Sequence, residues 1–153
     1  MLTSPASAEA TWDSYSIDRQ TVRPGETFTI TMTLTNTETT DIVFSYEYIE
    51  PNWPMNVTPG IVEAVGCGGD VTDCSVSGKT AVFHPRVPIA PGDSRSVTFT
   101  ARALPPPVPG SGPMRLSWSP YMYYEYDYTP GGPLHSRIHQ AWVPQLTVET
   151  DYS

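Results

Sequence analysis

The chain has 153 residues and a formal net charge of −8, from 8 Lys and Arg against 16 Asp and Glu. Only 16% of its residues are charged, below the ~25% of an average globular domain; Thr, Ser, 17 Pro and 11 Gly fill the difference. That mixture excludes a helical protein, because Pro lacks a donor and Gly and β-branched Thr are poor helix formers. The 4 Trp, 9 Tyr and 4 Phe exclude a disordered chain.

Acidity also sorts the partners. A phosphate backbone would be repelled, Lys79 is the only lysine, and no apolar run reaches the ~20 residues of a membrane helix. Nucleic acid and membrane insertion are therefore not expected. Residues 1–9 read as a flexible N-terminal segment. In it Ala6-Ser7-Ala8 resembles the small-residue end of an export signal, so Met1 is expected to have replaced a removed leader. Residues 10–153 read as a single domain.

Along that domain, Ala10 to Ile17 is expected as a first, edge strand. Arg23-Pro24-Gly25-Glu26 is a turn, with Pro presetting φ. In Thr27 to Asn36 the apolar Phe28, Ile30, Met32 and Leu34 alternate with threonines, so one face is buried and the other wet. After the Asn36-Thr37-Glu38-Thr39-Thr40 turn, Ile42 to Ile49 is expected to place Ile42, Phe44, Tyr46 and Tyr48 on one face. Asn56-Val57-Thr58 fits a glycosylation acceptor, although Pro59 follows it. Gly60 to Val65 and Thr80 to His84 read as short strands around a cysteine-bearing loop. The Ala90-Pro91-Gly92-Asp93 turn then introduces a second alternating strand with Val97, Phe99 and Ala101 inward. A stiff Pro-rich connection runs from Ala103 to Pro113. Met114 to Trp118 follows, with Pro120 expected to bend or bulge it. Tyr121 to Tyr128 continues the same direction. The chain turns at Thr129-Pro130-Gly131-Gly132-Pro133, and Arg137 to Glu149 returns, interrupted at Pro144. Seven or eight short strands with turns at this spacing indicate an all-β, antiparallel β-sandwich with a long C-terminal Tyr-rich hairpin.

Cys67 and Cys74 enclose Gly68-Gly69-Asp70-Val71-Thr72-Asp73. Glycine, Asp and Thr let the loop reverse, so the expected state is a local disulfide in an oxidising compartment. Free thiols or a reactive Cys67 are the alternatives, and the latter lacks a strand-turn-helix setting. Asp70 and Asp73 could hold Ca²⁺ together with backbone carbonyls.

Val22 to Ile30 with Leu34-Thr35-Asn36-Thr37, Cys74 to Val82, Ile89 to Ser94 and Val97 to Thr100 resemble strands of bacterial Ig-like repeat domains. The likeness is to the cell-adhesion-related (CARDB-like) and tandem surface-protein types and covers roughly residues 20–103. It implies an Ig-like sandwich and a structural, adhesive or presenting role without a catalytic site. The chain departs from the pattern after Ala103, where the Pro-rich crossing and the Tyr-rich hairpin lie.

No residue constellation points to catalysis. His135 and His139 have a metal-like spacing only on a helix; on a strand they stand ~13 Å apart and read as surface or rim histidines. His84 precedes Pro85 with no ligand set nearby, and there is no Gly-x-Ser-x-Gly elbow or phosphate loop. Glu125 and Asp127 share a strand face and could hold a sugar hydroxyl or Ca²⁺, or be simply solvated.

The most distinctive stretch is Tyr121-Met122-Tyr123-Tyr124-Glu125-Tyr126-Asp127-Tyr128. Met122, Tyr124, Tyr126 and Tyr128 would share one face, and Tyr121, Tyr123, Glu125 and Asp127 the other. So many tyrosines, each needing a hydroxyl partner when buried, indicate a binding face that Trp118, Trp142 and Trp53 could extend. The competing reading packs the even-numbered face into the sandwich. The function expected is a non-catalytic, exported bacterial Ig-like module, needing no cofactor and no metal, that makes structural or adhesive protein contacts at the cell envelope. The rivals are a carbohydrate-binding module that uses the Tyr/Trp face on a polysaccharide, and an accessory domain of a larger secreted enzyme.

Overall fold

The computed structural model describes residues 12–52, 61–106, 114–127, 135–140 and 147–151. Among them the chain forms eleven strands and no helix: β1 (Asp13–Ile17), β2 (Thr21–Val22), β3 (Thr27–Thr35), β4 (Ile42–Pro51), β5 (Val62–Gly69), β6 (Val71–Ser77), β7 (Thr80–Pro85), β8 (Ser94–Ala103), β9 (Arg115–Tyr126), β10 (His135–Gln140) and β11 (Thr147–Thr150). The first sheet has the order β1-β3-β8-β5, the second β2-β11-β9-β4-β7-β6. β10 pairs with the C-terminal half of β9, and β11 with its start. The result is an antiparallel-dominated, Ig-like sandwich.

The expected threonine alternation sets the first sheet. Phe28, Ile30, Met32 and Leu34 of β3 are buried, as are Val97, Phe99 and Ala101 of β8. Ile30 lies opposite Phe99 and Met32 opposite Val97. On the outer side the hydroxyls pair across the same strands: Thr29 with Thr100 at 3.2 Å, Thr33 with Ser96 and Thr35 with Ser94 at 2.8 Å. Both Pro-Gly turns close as expected, with Gly25 at φ 90° and Gly92 at φ 85°, a left-handed position that type II turns require. Between the sheets, Phe28 meets Trp118 edge-to-face at 5.1 Å. Ile49, Phe83, Leu116 and Met122 complete the second layer's inner face.

Four expectations change. First, Val43 is an extra residue in β4, where the register against β9 shifts between Ile42 and Phe44. Such a bulge reverses the facing of everything after it. Ile42, Ser45, Glu47 and Ile49 point inward and are buried, while Phe44, Tyr46 and Tyr48 face outward, not with Ile42. Second, Pro120 does not bulge β9; it pairs opposite Ile49 in register. It lies between the β10 pairing, which begins at Tyr121, and the β11 pairing, which ends at Ser117. Third, the cysteine segment is not a loop. β5 pairs with β8 through Gly69, and β6 pairs with β7 from Val71 onward, so the chain crosses from one sheet to the other at Asp70. Fourth, the cysteine strands, the short β2 and the two return segments raise the strand number above the seven or eight expected.

The crossing is tightly built. Gly69 has φ 105°, and a Cβ there would stand 2.3 Å from the Ser96 carbonyl oxygen. Asp70 then bonds to both layers. Its amide donates to Ser96 O, its carboxylate accepts from Ser96 N, and its carbonyl accepts from Arg86 N, at 2.8, 3.1 and 2.9 Å. Cys67 of β5 and Cys74 of β6 are joined by a disulfide with Cα atoms 6.2 Å apart, which staples the two sheets along this edge. At the opposite edge, His139 Nδ1 of β10 meets Asp13 Oδ2 of β1 at 3.0 Å. Residues 1–9, Trp53, Asn56-Val57-Thr58, 107–113, Tyr128 and 141–146, with Trp142 and Pro144, lie outside the described residues.

Candidate binding face

The outward positions of the second sheet follow from the β4 bulge and the register of β9. Tyr46 stands opposite Tyr123, Tyr48 opposite Tyr121, and Phe44 opposite Glu125. β10 adds Ile138 beside Tyr123 and Gln140 beside Tyr121. On the other flank, β7 brings His84 against Tyr46 and Phe44, with ring centroids 5.6 and 6.2 Å apart. Phe44 meets Tyr123 at 6.0 Å and Tyr46 meets Tyr121 at 6.0 Å, both edge-to-face. The rings form a continuous ladder across three strands. It remains open to solvent: Phe44 is 39% and Ile138 59% exposed.

Carboxylates are fixed at the margins of the ladder. The Tyr48 hydroxyl donates to Glu50 at 2.7 Å, and the Tyr123 hydroxyl to Glu125 at 2.5 Å. Burial, then the Glu50 hydrogen bond, pushes the Tyr48 phenol up to about 12. The Glu125 hydrogen bond, more than burial, raises that of Tyr123. Both phenols thus stay protonated donors through the physiological range. His84 Nδ1 lies 2.8 Å from Asp73 Oδ1 of β6.

The residues expected in the binding face divide. Tyr121, Tyr123 and Glu125 come together on the outer face. Trp118 and Tyr124 do not belong to it: both are fully buried, because even-numbered positions of β9 face the core. Tyr126 packs between Tyr124 and His135 at the sheet's end. Asp127, at φ 55°, ends β9 and pairs with His135 at 3.6 Å. Tyr128 and Trp142 lie outside the described residues. Sequence reasoning missed Phe44, Tyr46, Tyr48 and Glu50 as members of the face. A signal was present: Phe44-x-Tyr46-x-Tyr48-x-Glu50 repeats the alternation of Tyr121-x-Tyr123-x-Glu125, and aromatic strands pair well with each other.

Asp70 and Asp73 serve separate partners. The Asp70 carboxylate accepts from Ser96 N and Arg86, and that of Asp73 meets His84. The two hairpin histidines are likewise separate, with different carboxylate partners, and both sit at the rim, His135 42% and His139 29% exposed. His139 packs against Trp12 and Tyr15. Near it lies a carboxyl that the sequence did not flag, Glu47, fully buried with neither oxygen hydrogen-bonded to a described residue. Burial pushes Glu47 up to about 8.

No protein-family profile matches the chain, and no curated protein matches it by sequence. Solved structures share its fold. One is the major pilin subunit of Bacillus cereus, with 6% identity and a TM-score of 0.53, covering 92% of this chain; the chain spans only 40% of the pilin's length. Another is the cohesin module of a Clostridium perfringens family 33 glycoside hydrolase, with 14% identity and a TM-score of 0.52, covering 94% of this chain and 100% of the module. At these identities the likeness is one of fold.

Proposed function

We propose that this chain is an exported, non-catalytic bacterial Ig-like module that makes structural or adhesive protein contacts at the cell envelope through the outer face of its second sheet. The observation that carries this reading is the outward ring ladder of the exposed Phe44 and the half-buried Tyr46, Tyr121 and Tyr123, with the exposed Ile138 beside it. Large aromatic surface with fixed polar groups is what protein interfaces use at their centres. The opposite outer face, by contrast, pairs six of its hydroxyls across β3 and β8. A disulfide between the sheets supports an extracytoplasmic setting, and the shared fold of a pilin subunit and a cohesin module supports a contact role. Membership of the cell-adhesion-related repeat type is part of the same proposal.

The test is site-specific photo-crosslinking on intact envelopes of the source cells. A benzophenone residue in place of Ile138 is expected to give a discrete protein adduct that Tyr46→Ala and Tyr123→Ala remove, and the same probe in place of Thr98 on the hydroxyl face none. Equal yields from both positions, or adducts to polysaccharide alone, would overturn it; the latter outcome would establish the carbohydrate-binding rival.

A further inference from the structure

A phenol hydroxyl bonded to a carboxylate occurs four times among the described residues; His139 meets the Asp13 of the Tyr15 pair, and a guanidinium completes one of the other three. At the open end of the sandwich, the Tyr124 hydroxyl donates to Glu38 Oε1 at 2.8 Å. The Arg137 guanidinium hydrogen-bonds the same carboxylate and lies over the Tyr126 ring at 5.5 Å. A phenol thus orients a carboxylate, and a cation takes both the carboxylate and an aromatic face. Each contact suits guanidinium, which is planar, weakly hydrated and drawn to ring faces. The outer face carries the first half of this unit twice, as Tyr48 with Glu50 and Tyr123 with Glu125. Among the described residues no arginine or lysine pairs with either Glu50 or Glu125.

Resting on the contact reading above, we infer that the partner is a protein segment that supplies the missing cations, docking arginine or lysine side chains at Tyr48/Glu50 and at Tyr123/Glu125. Charge complementarity favours this occupant: the chain carries a net −8, and Asp73 adds a third carboxylate beside the ladder. A second copy of this chain would bring the same acidic face and be repelled. Register fixes the spacing. Glu125 lies level with Phe44, six positions before Glu50 on β4, so the two seats are separated by roughly 20 Å along the strand direction. An extended segment with two cationic residues about six positions apart, and apolar residues between them to cover the rings, reaches both.

The test uses the full chain and synthetic labelled peptides with two arginines six positions apart in a serine-valine background, read by fluorescence anisotropy. Replacing both arginines with citrulline, a neutral near-isostere, is expected to weaken binding about tenfold or more. Glu50→Gln and Glu125→Gln should each weaken it about fivefold, and high salt should do likewise. Glu63→Gln, which removes the same charge from the first sheet, should change it less than about twofold. Melting curves check that the variants fold. The inference is overturned if the arginine peptide does not bind at millimolar concentration, if citrulline binds as well as arginine, or if Glu63→Gln weakens binding as much as Glu125→Gln. A protein adduct at position 138 that is indifferent to Glu50→Gln, Glu125→Gln and salt would refute the cation seats and leave the contact reading standing; no adduct at all would remove both.

Discussion

Glu47 and Asn36 show how much one buried polar residue decides. Asn36 is 1% exposed. Its amide nitrogen donates to Thr40 O and Ile89 O at 2.9 and 2.8 Å, and its side-chain oxygen accepts from Glu38 N at 2.8 Å. Asn36→Ala removes all three bonds, leaving Ile89 O only its bond from Ile42 N, and is expected to cost about 2–3 kcal/mol in a denaturant titration. Glu47 acts in the opposite sense. Its folded-state pKa of about 8 exceeds the ordinary 4.5, so between those values the native state holds a proton that the unfolded state does not. Its contribution is fully present below the ordinary value and is lost as pH rises toward 8, by several kcal/mol, on the order of 4. Glu47→Gln, which cannot ionise, should therefore raise the melting temperature at pH 9 by much more than at pH 5. A gain that is equal at both pH values would show that Glu47 is charged in the native state.

At the scale of the strand, the crossing at Gly69-Asp70 ties the layers together. Cys67→Ala with Cys74→Ala opens a loop of a few residues and is expected to cost about 2–3 kcal/mol. Gly69→Ala should cost about 3 kcal/mol or more, because its Cβ would stand 2.3 Å from a backbone oxygen; equilibrium unfolding of the two variants checks the order. This crossing was not legible in the sequence, whereas β3 and β8 were. In Thr27–Thr35 every second residue is apolar and the turn before it is Pro-Gly, so local propensity, pattern and turn chemistry agree. In Val62–Gly69 three glycines suppress strand propensity, and only pairing with β8 makes a strand of them. The β4 bulge was hidden for another reason. Val43 is as good a strand residue as its neighbours, so nothing local says that it is the unpaired one, and the facing of Phe44, Tyr46, Tyr48 and Glu50 depended on it. The same cause divided the binding face: Tyr121, Tyr123 and Glu125 could be read from β9 alone, while Phe44, Tyr46, Tyr48 and Glu50 required the register between two strands.

For the whole molecule, the division between core and outer face predicts two classes of aromatic substitution. Trp118→Ala and Tyr124→Ala empty fully buried sites and are expected to cost about 3–5 kcal/mol. Tyr46→Ala and Tyr123→Ala remove outer-face ring contacts and, for Tyr123, the hydrogen bond to Glu125, at about 1 kcal/mol or less, and so are the variants for probing binding without unfolding. Thermal melts of the four separate these classes; similar losses in all would mean that the outer ladder is part of the core. The alternation in Tyr121 to Tyr128 separates the two faces in the sequence but does not say which of them is inward; the competing reading, with the even-numbered side packed into the sandwich, holds for Trp118, Met122 and Tyr124.

The two broad sides of the slab therefore differ in kind. One hydroxyl row is largely paired within its own sheet, and one ring row faces outward. On the proposed contact reading each copy offers that one ring row, so holding on firmly under load or flow would come from several such units on one tether, each taking its own site, with strength set by number and spacing more than by any single grip.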